Sequence, residues 1–536
     1  MRQLLLCASL LLTLPVAALA QMLNPAEPQA STPSPSPIAS TTPVPASVPV
    51  AVSTASQRLP VAVAQALQAA GLPPSSMSAW VQTLPELVWP AGSSSPQRRS
   101  APAIDLNGVA RPRILSVQAD RPMNPASVMK LVTTAVAMQA LGADFQWQTT
   151  VWIDGAVRDG VLYGDLIVEG GGDPYLPTPR VQEMIGRIRA KGIRSVHGDI
   201  LVDQKRWRLP RVDPAAFDGK PERPYNAEPQ ALMLNMQALE LRLQPQGSVA
   251  LLEVDPPLRG LSLPASVVLN GAPCIQPEQG LALDMTQALV LQAKGAWPRS
   301  CGARSVFVAL YPQAEVFSAL ALAGLWQTGG GQLQGQVGIA GHGHSAARRL
   351  LSFPSVPLQE VVTVTNTYSN NPMAKQIFLS LPVWGKLRGQ RRHLVGSWQA
   401  SQHWMAAWWR RHLPQATQPI LENGSGLSRR ERITAASLGA LLAQTAASPV
   451  AADFAATLPL VGREGTVARL AQRAPQNRAL GQARVKTGTL DGAKAIAGYV
   501  RGKDDQVYGV VGLINAPQSA AGQAALDALL DWVAGN

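Results

Sequence analysis

Three short stretches of this 536-residue chain hold side chains that could break an acyl bond. Ser127-Val-Met-Lys130 sets a hydroxyl and an amine three residues apart, the spacing that puts two side chains on one face of a helix. A serine hydroxyl is a poor nucleophile until a neighbouring base takes its proton. An ordinary lysine, with a pKa near ~10.4, is almost wholly protonated at neutral pH. Burial beside a second cation can lower that value by roughly 3 units and turn the amine into a general base. A second positive charge is therefore expected close to Lys130.

Lys486-Thr487-Gly488 supplies a candidate for that charge. Its lysine and threonine could hold a substrate carboxylate by charge-assisted bonds, and its glycine would let another backbone approach a strand edge closely. Ser369-Asn370-Asn371 adds a second hydroxyl and an amide. Each motif has a blander reading. With ten lysines in the chain, a Ser-x-x-Lys match arises about once by chance. Lys486-Thr487-Gly488 alone could be an exposed turn, and Ser369-Asn370-Asn371 a polar cap after VVTVTNTY. Yet each is the only one of its type in the sequence, and each stands where its chemistry would need it.

The elements around them follow from hydrophobic pattern. Asn124-Pro125 is a helix-start signal, which sets Ser127 in the first turn near the positive end of the helix dipole. VMKLVTTAVAMQAL, residues 128–141, is apolar enough all round to predict a buried central helix. RVKTGTL, AIAGYVRG and VYGVVGLIN read as successive strands of an antiparallel sheet closed by the helix AALDALLDWVAG. LPVAVAQALQAAG at 59–71 has helical spacing and RILSVQA at 113–119 alternates like a strand. WQTTVWIDG, VLYGDLIVEG and HGDILVD are short strands punctuated by glycine, with the helical VQEMIGRIRAKGI between them. Residues 204–310 hold many prolines and scattered β patterns, which suits a β-rich module.

A chain this long exceeds one compact core, so two or three domains are expected. Hydrophobic residues make up 46% and charged residues 15%, with forty-five prolines and forty-five glycines, which excludes a coiled coil or a wholly disordered chain. Residues 1–20 carry Arg2, an apolar run from Leu4 interrupted by Pro15, and the ending Ala18-Leu19-Ala20, the layout of an export signal cut after Ala20. A retained anchor is the alternative, though the run is short for a span. Residues 21–58 are rich in Pro, Ser, Thr and Ala and predict an extended tether. Once Cys7 leaves with the signal, Cys274 and Cys301 remain as an even pair in an exported chain, so a disulfide between them is expected; two buried thiols are the alternative. The net charge of +13 would favour acidic envelope polymers or a membrane face, unless it only follows the usage of the source. No basic block interleaved with aromatics points to nucleic acid. His342 and His344 lie in a Gly-rich loop and read as a solvated turn rather than a metal site.

Together the three motifs resemble those of penicillin-recognising serine enzymes. More closely, the chain resembles the D-alanyl-D-alanine carboxypeptidase/endopeptidase family of low-molecular-mass class C penicillin-binding proteins, the peptidase S13 type. NPASVMKLVTTAVAMQALGADFQWQT, VLYGDLIVEGGGDPYL, PYNAEPQALMLN and ENGSGLSRRERIT carry the likeness, which covers roughly residues 60–536. It implies an α/β (α+β) fold: a transpeptidase/β-lactamase-like catalytic domain, an antiparallel sheet flanked by helices, at 59–148 and 357–536. Two nested β-rich insertions would occupy the long interval between Lys130 and Ser369, one at 149–203 and 311–356 and the other at 204–310. It also implies roles. Ser127 would attack the penultimate D-alanine carbonyl, Lys130 would be its base, and Ser369 would relay a proton to the leaving amine. Asn371 would bond Lys130 and the substrate amide, Lys486 and Thr487 would bind the terminal carboxylate, and Gly488 would belong to the same substrate-binding stretch. Thr489 would share an oxyanion hole with Ser127 through backbone N–H groups. No cofactor is needed. Peptidoglycan stem peptides would be substrates, β-lactams covalent inhibitors, and the periplasm of a Gram-negative cell the location, with peripheral membrane or wall association.

The chain departs from its relatives at Asn370 and Lys375, in SNNPMAK, and at Asn423, where they often carry aspartate. A β-lactamase would need a second base, and Glu222 and Asn226 have a suggestive spacing, but their surrounding text fits the insertion of the peptidase family. A Ser-His-Asp esterase lacks its Gly-x-Ser-x-Gly elbow. A non-catalytic peptidoglycan-binding scaffold would have no need for three intact motifs.

Overall fold

The computed structural model describes residues 58–90 and 113–536, apart from 275–279, 286, 288, 310–313, 342–346 and 390–392. The expected signal, nearly all of the tether, and His342 and His344 lie outside the described residues.

A five-stranded antiparallel sheet runs in the order Ala483–Leu490, Ala493–Arg501, Val507–Asn515, Met77–Thr83, Arg113–Val117. Its strands are buried on both faces, and the pleat divides their side chains between two cores. Along Ala493–Arg501, Ala495, Ala497 and Tyr499 point into one core, Ile496 and Val500 into the other. Helices Val61–Ala69 and Gln523–Ala534 cover the second face. On the first face lie the helices Lys130–Leu141, Leu358–Tyr368, Asn371–Trp384, Trp398–His412 and Ala435–Ala446. Every residue from Lys130 to Met138 is buried, Lys130 included, as the largely apolar run predicted. The three C-terminal strands, the helix after them, the N-terminal helix and the strand from Arg113 stand where the pattern put them. Met77–Thr83 was not legible: MSAWVQT is short, and its burial on both faces leaves no alternation to read.

Between the halves of this layer, two further sheets are built. A seven-stranded sheet uses strands from Gln148 to Asp203 and from Gln332 to Pro354. A six-stranded sheet uses strands from Ala238 to Ala309. Their apolar side chains form one continuous core, joined through helices Thr178–Ala190 and Phe317–Thr328. Cys274 and Cys301 are disulfide-bonded in the six-stranded region, as the cysteine count indicated. A small parallel pair, Asp173–Leu176 with Leu232–Leu234, brings the insertion against helix Asn371–Trp384. There Gln376 Nε2 donates to the Gln230 carbonyl at 2.6 Å. No helix among the described residues is long and apolar enough to cross a membrane.

Candidate active site

Ser127 lies on a short 3-10 turn, Ala126–Met129, and the α-helix begins only at Lys130. The expected first α-turn is thus tighter, and in a 3-10 turn residues i and i+3 eclipse one another. That geometry sets Lys130 Nζ at 2.9 Å from Ser127 Oγ. Asn124 fixes the turn from outside: its Oδ1 accepts from the Ala126 N–H at 2.8 Å, and its own N–H donates to Asn515 Oδ1 at 2.8 Å. Ala126 sits at φ +46°, a left-handed conformation that a non-glycine residue holds only when its surroundings impose it.

Lys130 is fully buried, and its amine has two further neighbours. It donates to Asn371 Oδ1 and to the Ser425 carbonyl, each at 2.5 Å. A neutral amine has two N–H donors and one lone pair. Two fixed acceptors therefore take its hydrogens and leave the lone pair for the Ser127 hydroxyl. Burial, then the Lys486 charge, hold Lys130 well below the ordinary lysine range; Lys375 lowers it further, and Glu431 opposes them. The second amine demanded by the chemistry is therefore present, and it is charged below about pH 7.

Lys486 is also fully buried, on the sheet strand that flanks the nucleophile turn, and it donates to Ser369 Oγ at 2.9 Å. Burial pushes its pKa down to about 7. Ser369 terminates helix Leu358–Tyr368 at φ +60°, which turns the chain so that helix Asn371–Trp384 begins two residues on. Asn370 is that helix's N-cap, accepting from the Met373 N–H at 2.9 Å, so the capping reading holds for the middle residue of this motif. Asn371 Nδ2 donates to the Tyr225 carbonyl at 3.1 Å, which fixes the amide with its oxygen toward Lys130. Thr487 Oγ1 lies 2.8 Å from Thr466 Oγ1, and Thr489 is exposed beside them. Gly488 makes the approach of strand and turn possible. A Cβ there would fall 2.5 Å from the Pro125 carbonyl and 3.0 Å from the Ser127 nitrogen. Ser127, Lys130, Ser369, Asn371 and Lys486 thus converge, with Thr487, Gly488 and Thr489 along the adjoining strand edge.

Lys375 is buried and paired with Glu228 at 2.5 Å, so the unexpected lysine is matched by a carboxylate from the insertion. Asn226 donates to Asp218 Oδ1 and the Lys220 carbonyl, and Glu222 pairs with Arg223; neither bonds to Ser127 or Lys130. The carbonyls of Ser425 and Tyr225 had no signal in the sequence, because any residue type offers one. Glu431 was also missed.

The Lys486 shift has a measurable consequence. Between about pH 7 and its ordinary value of 10.5 the amine is neutral when folded but protonated when unfolded. The unfolded chain then binds more protons, so stability rises with pH, by up to ~1.4 kcal/mol per unit for one proton. Urea unfolding of the protein and of Lys486→Met across this range is expected to show a steeper rise for the natural chain. Parallel curves would contradict it.

A half-buried serine beside a buried lysine, with a second buried lysine at the edge of an antiparallel sheet, on this mixed α/β fold, defines a penicillin-recognising serine hydrolase. The fold is similar to that of penicillin-binding protein 4 from Haemophilus influenzae, with a TM-score of 0.66 at 19% identity, covering 88% of this chain and 99% of that one. The same protein complexed with a β-lactam gives 0.62 at 19% identity, with the same coverage. Over residues 107–535 the sequence matches the D-Ala-D-Ala carboxypeptidase 3 (S13) family. The chain belongs to that family and is a serine-type D-Ala-D-Ala carboxypeptidase. It is 29% identical over 406 residues to a D-alanyl-D-alanine carboxypeptidase of an Actinomadura species, 72% of each chain.

Proposed function

We propose that the protein trims and opens peptidoglycan by acyl transfer through Ser127. The observation that carries this reading is the Lys130 amine 2.9 Å from Ser127 Oγ, with its other two positions taken by acceptors. Ser127 Oγ attacks the carbonyl of the penultimate D-alanine while its proton passes to Lys130. The C–N bond then breaks, and the departing amine takes a proton by way of Ser369. Water hydrolyses the resulting ester and restores the serine. Asn371 holds the base and the substrate amide, while Lys486 and Thr487 receive the carboxylate beyond the scissile bond. The backbone N–H groups of Ser127 and Thr489 face the oxyanion. A β-lactam offers the same serine a carbonyl whose leaving group stays tethered, which makes it a covalent inhibitor.

A D,D cross-link presents a D-alanyl carbonyl with a larger amine behind it, so we extend the activity to D,D-endopeptidase. The Ala20 signal and basic composition support a periplasmic enzyme of a Gram-negative cell, able to rest against the wall or membrane surface. Digestion of purified peptidoglycan, with pentapeptide and cross-linked dimer scored separately, tests both parts. Loss of both species supports the full reading. Persistent dimer removes the endopeptidase part, and persistent pentapeptide removes the carboxypeptidase.

A further inference from the structure

Glu431 is a fully buried carboxyl on the loop that reaches Lys130. Its Oε1 accepts three successive backbone N–H groups, from Glu422 at 2.9 Å, Asn423 at 3.1 Å and Gly424 at 3.3 Å. The loop gathered in this way delivers two carbonyls to the helix of the base. Ser425 O accepts from Lys130 Nζ at 2.5 Å, and Gly424 O from Thr133 Oγ1 at 2.6 Å. The loop must also pass close to the nucleophile. A Cβ on Gly426, at φ +82°, would fall 2.0 Å from the Ala126 carbonyl. Asn423 is neutral and occupied within the loop, its Oδ1 accepting from the Ser425 N–H at 3.0 Å and hydroxyl at 2.6 Å.

We infer that Glu431 is a positioning residue for the base Lys130: its carboxylate holds the loop that places the Ser425 carbonyl on the lysine, and supplies a negative charge close enough to act on it. The inference rests on the proposed role of Lys130. Lys130 is the cation that acts on Glu431 through space. On its own loop, Glu422 is neutralised by Arg430, and Arg429 is exposed. Arg432 donates to the Arg429 and Glu431 carbonyls rather than to the carboxylate. Across the cleft, Lys375 is paired with Glu228, while Lys486 acts on Lys130. Oε2 is buried without a hydrogen bond, the Gly426 N–H lying near enough only to favour the charged form. Burial drives the carboxyl up to about 7 against those donors and Lys130, so the two groups titrate as a pair.

The test is the rate of acylation by a fluorescent penicillin from about pH 5 to pH 9, with the labelled residue mapped. Glu431→Gln keeps the acceptor and removes the charge. Without that charge Lys130 loses its proton more readily, so the acid limb is expected to move down by on the order of half a unit. Adding Asn423→Asp returns a negative charge to the loop and is expected to move the limb back. Glu431→Ala releases the loop, and acylation is expected to slow about 100-fold with a smaller change in the affinity that precedes it. An acid limb unmoved or raised in Glu431→Gln overturns the inference, even if the alanine variant fails to fold. So does a folded Glu431→Ala that acylates at the natural rate. Label on Ser127 in the natural chain supports the underlying role separately; label that never reaches Ser127 overturns both.

Discussion

Ser127→Ala is expected to abolish release of D-alanine, slowing turnover by about 10⁴-fold or more while leaving the fold intact. The side chain lost is only a hydroxyl at the mouth of the site, and the turn that carries it is held by Asn124 and by Gly488's close approach, neither of which depends on Oγ. Binding of the stem peptide at Lys486 and Thr487 should survive. The variant therefore becomes a substrate trap: affinity for a pentapeptide measured by calorimetry should change by less than about tenfold, whereas its hydrolysis disappears. Residual hydrolysis within about 100-fold of the natural rate would sink the nucleophile assignment.

Lys130→Met should be the second largest effect, slowing acylation by about 10³-fold. Methionine occupies similar space but offers neither lone pair nor N–H. Two opposing changes in stability accompany it. The Asn371 amide oxygen and the Ser425 carbonyl lose a donor at 2.5 Å each, which weakens the folded state. The natural chain, in contrast, must bury an amine that is charged when unfolded, and that penalty vanishes in the variant. Because the folded value lies below the ordinary one, the penalty falls as pH rises, so the natural chain should gain stability relative to Lys130→Met toward high pH. Acylation within tenfold of the natural rate, followed by stopped-flow fluorescence, would contradict the assignment of Lys130 as base.

How much of this was legible in the sequence depends on whether a property is carried by residue type or by the path of the backbone. Ser127 and Lys130 were readable because their i, i+3 spacing is a local property, and the need for a second cation followed from the pKa of lysine. Lys486, 356 residues away by chain number, could be matched to that need because Lys-Thr-Gly occurs once. The three C-terminal strands were readable from β-branched and glycine content, though their twofold burial mimics a helix segment. The central strand Met77–Thr83 was not, since its partners Val507–Asn515 and Arg113–Val117 come from opposite ends of the chain.

Within the site, the missing parts were those supplied by backbone or by an unexpected position. The Tyr225 carbonyl reaches Asn371 across 146 residues, and the Ser425 carbonyl reaches Lys130 across 295. Neither has a side-chain signature. Asn423 and Lys375 looked like defects in charge balance when read one position at a time. The fold pairs Lys375 with Glu228, a carboxylate from the insertion, and the Asn423 N–H donates to Glu431. The Lys375–Glu228 pairing spans 147 residues, and a motif cannot show it.

The central claim is that a base-activated Ser127 forms an acyl-enzyme. Intact-mass measurement of the protein after benzylpenicillin, followed by peptide mapping, tests it most directly. The expected result is one penicilloyl adduct per chain, located on the peptide containing Ser127 and absent from Ser127→Ala. A folded protein that gains no adduct, or one that carries it on another residue, would contradict the account.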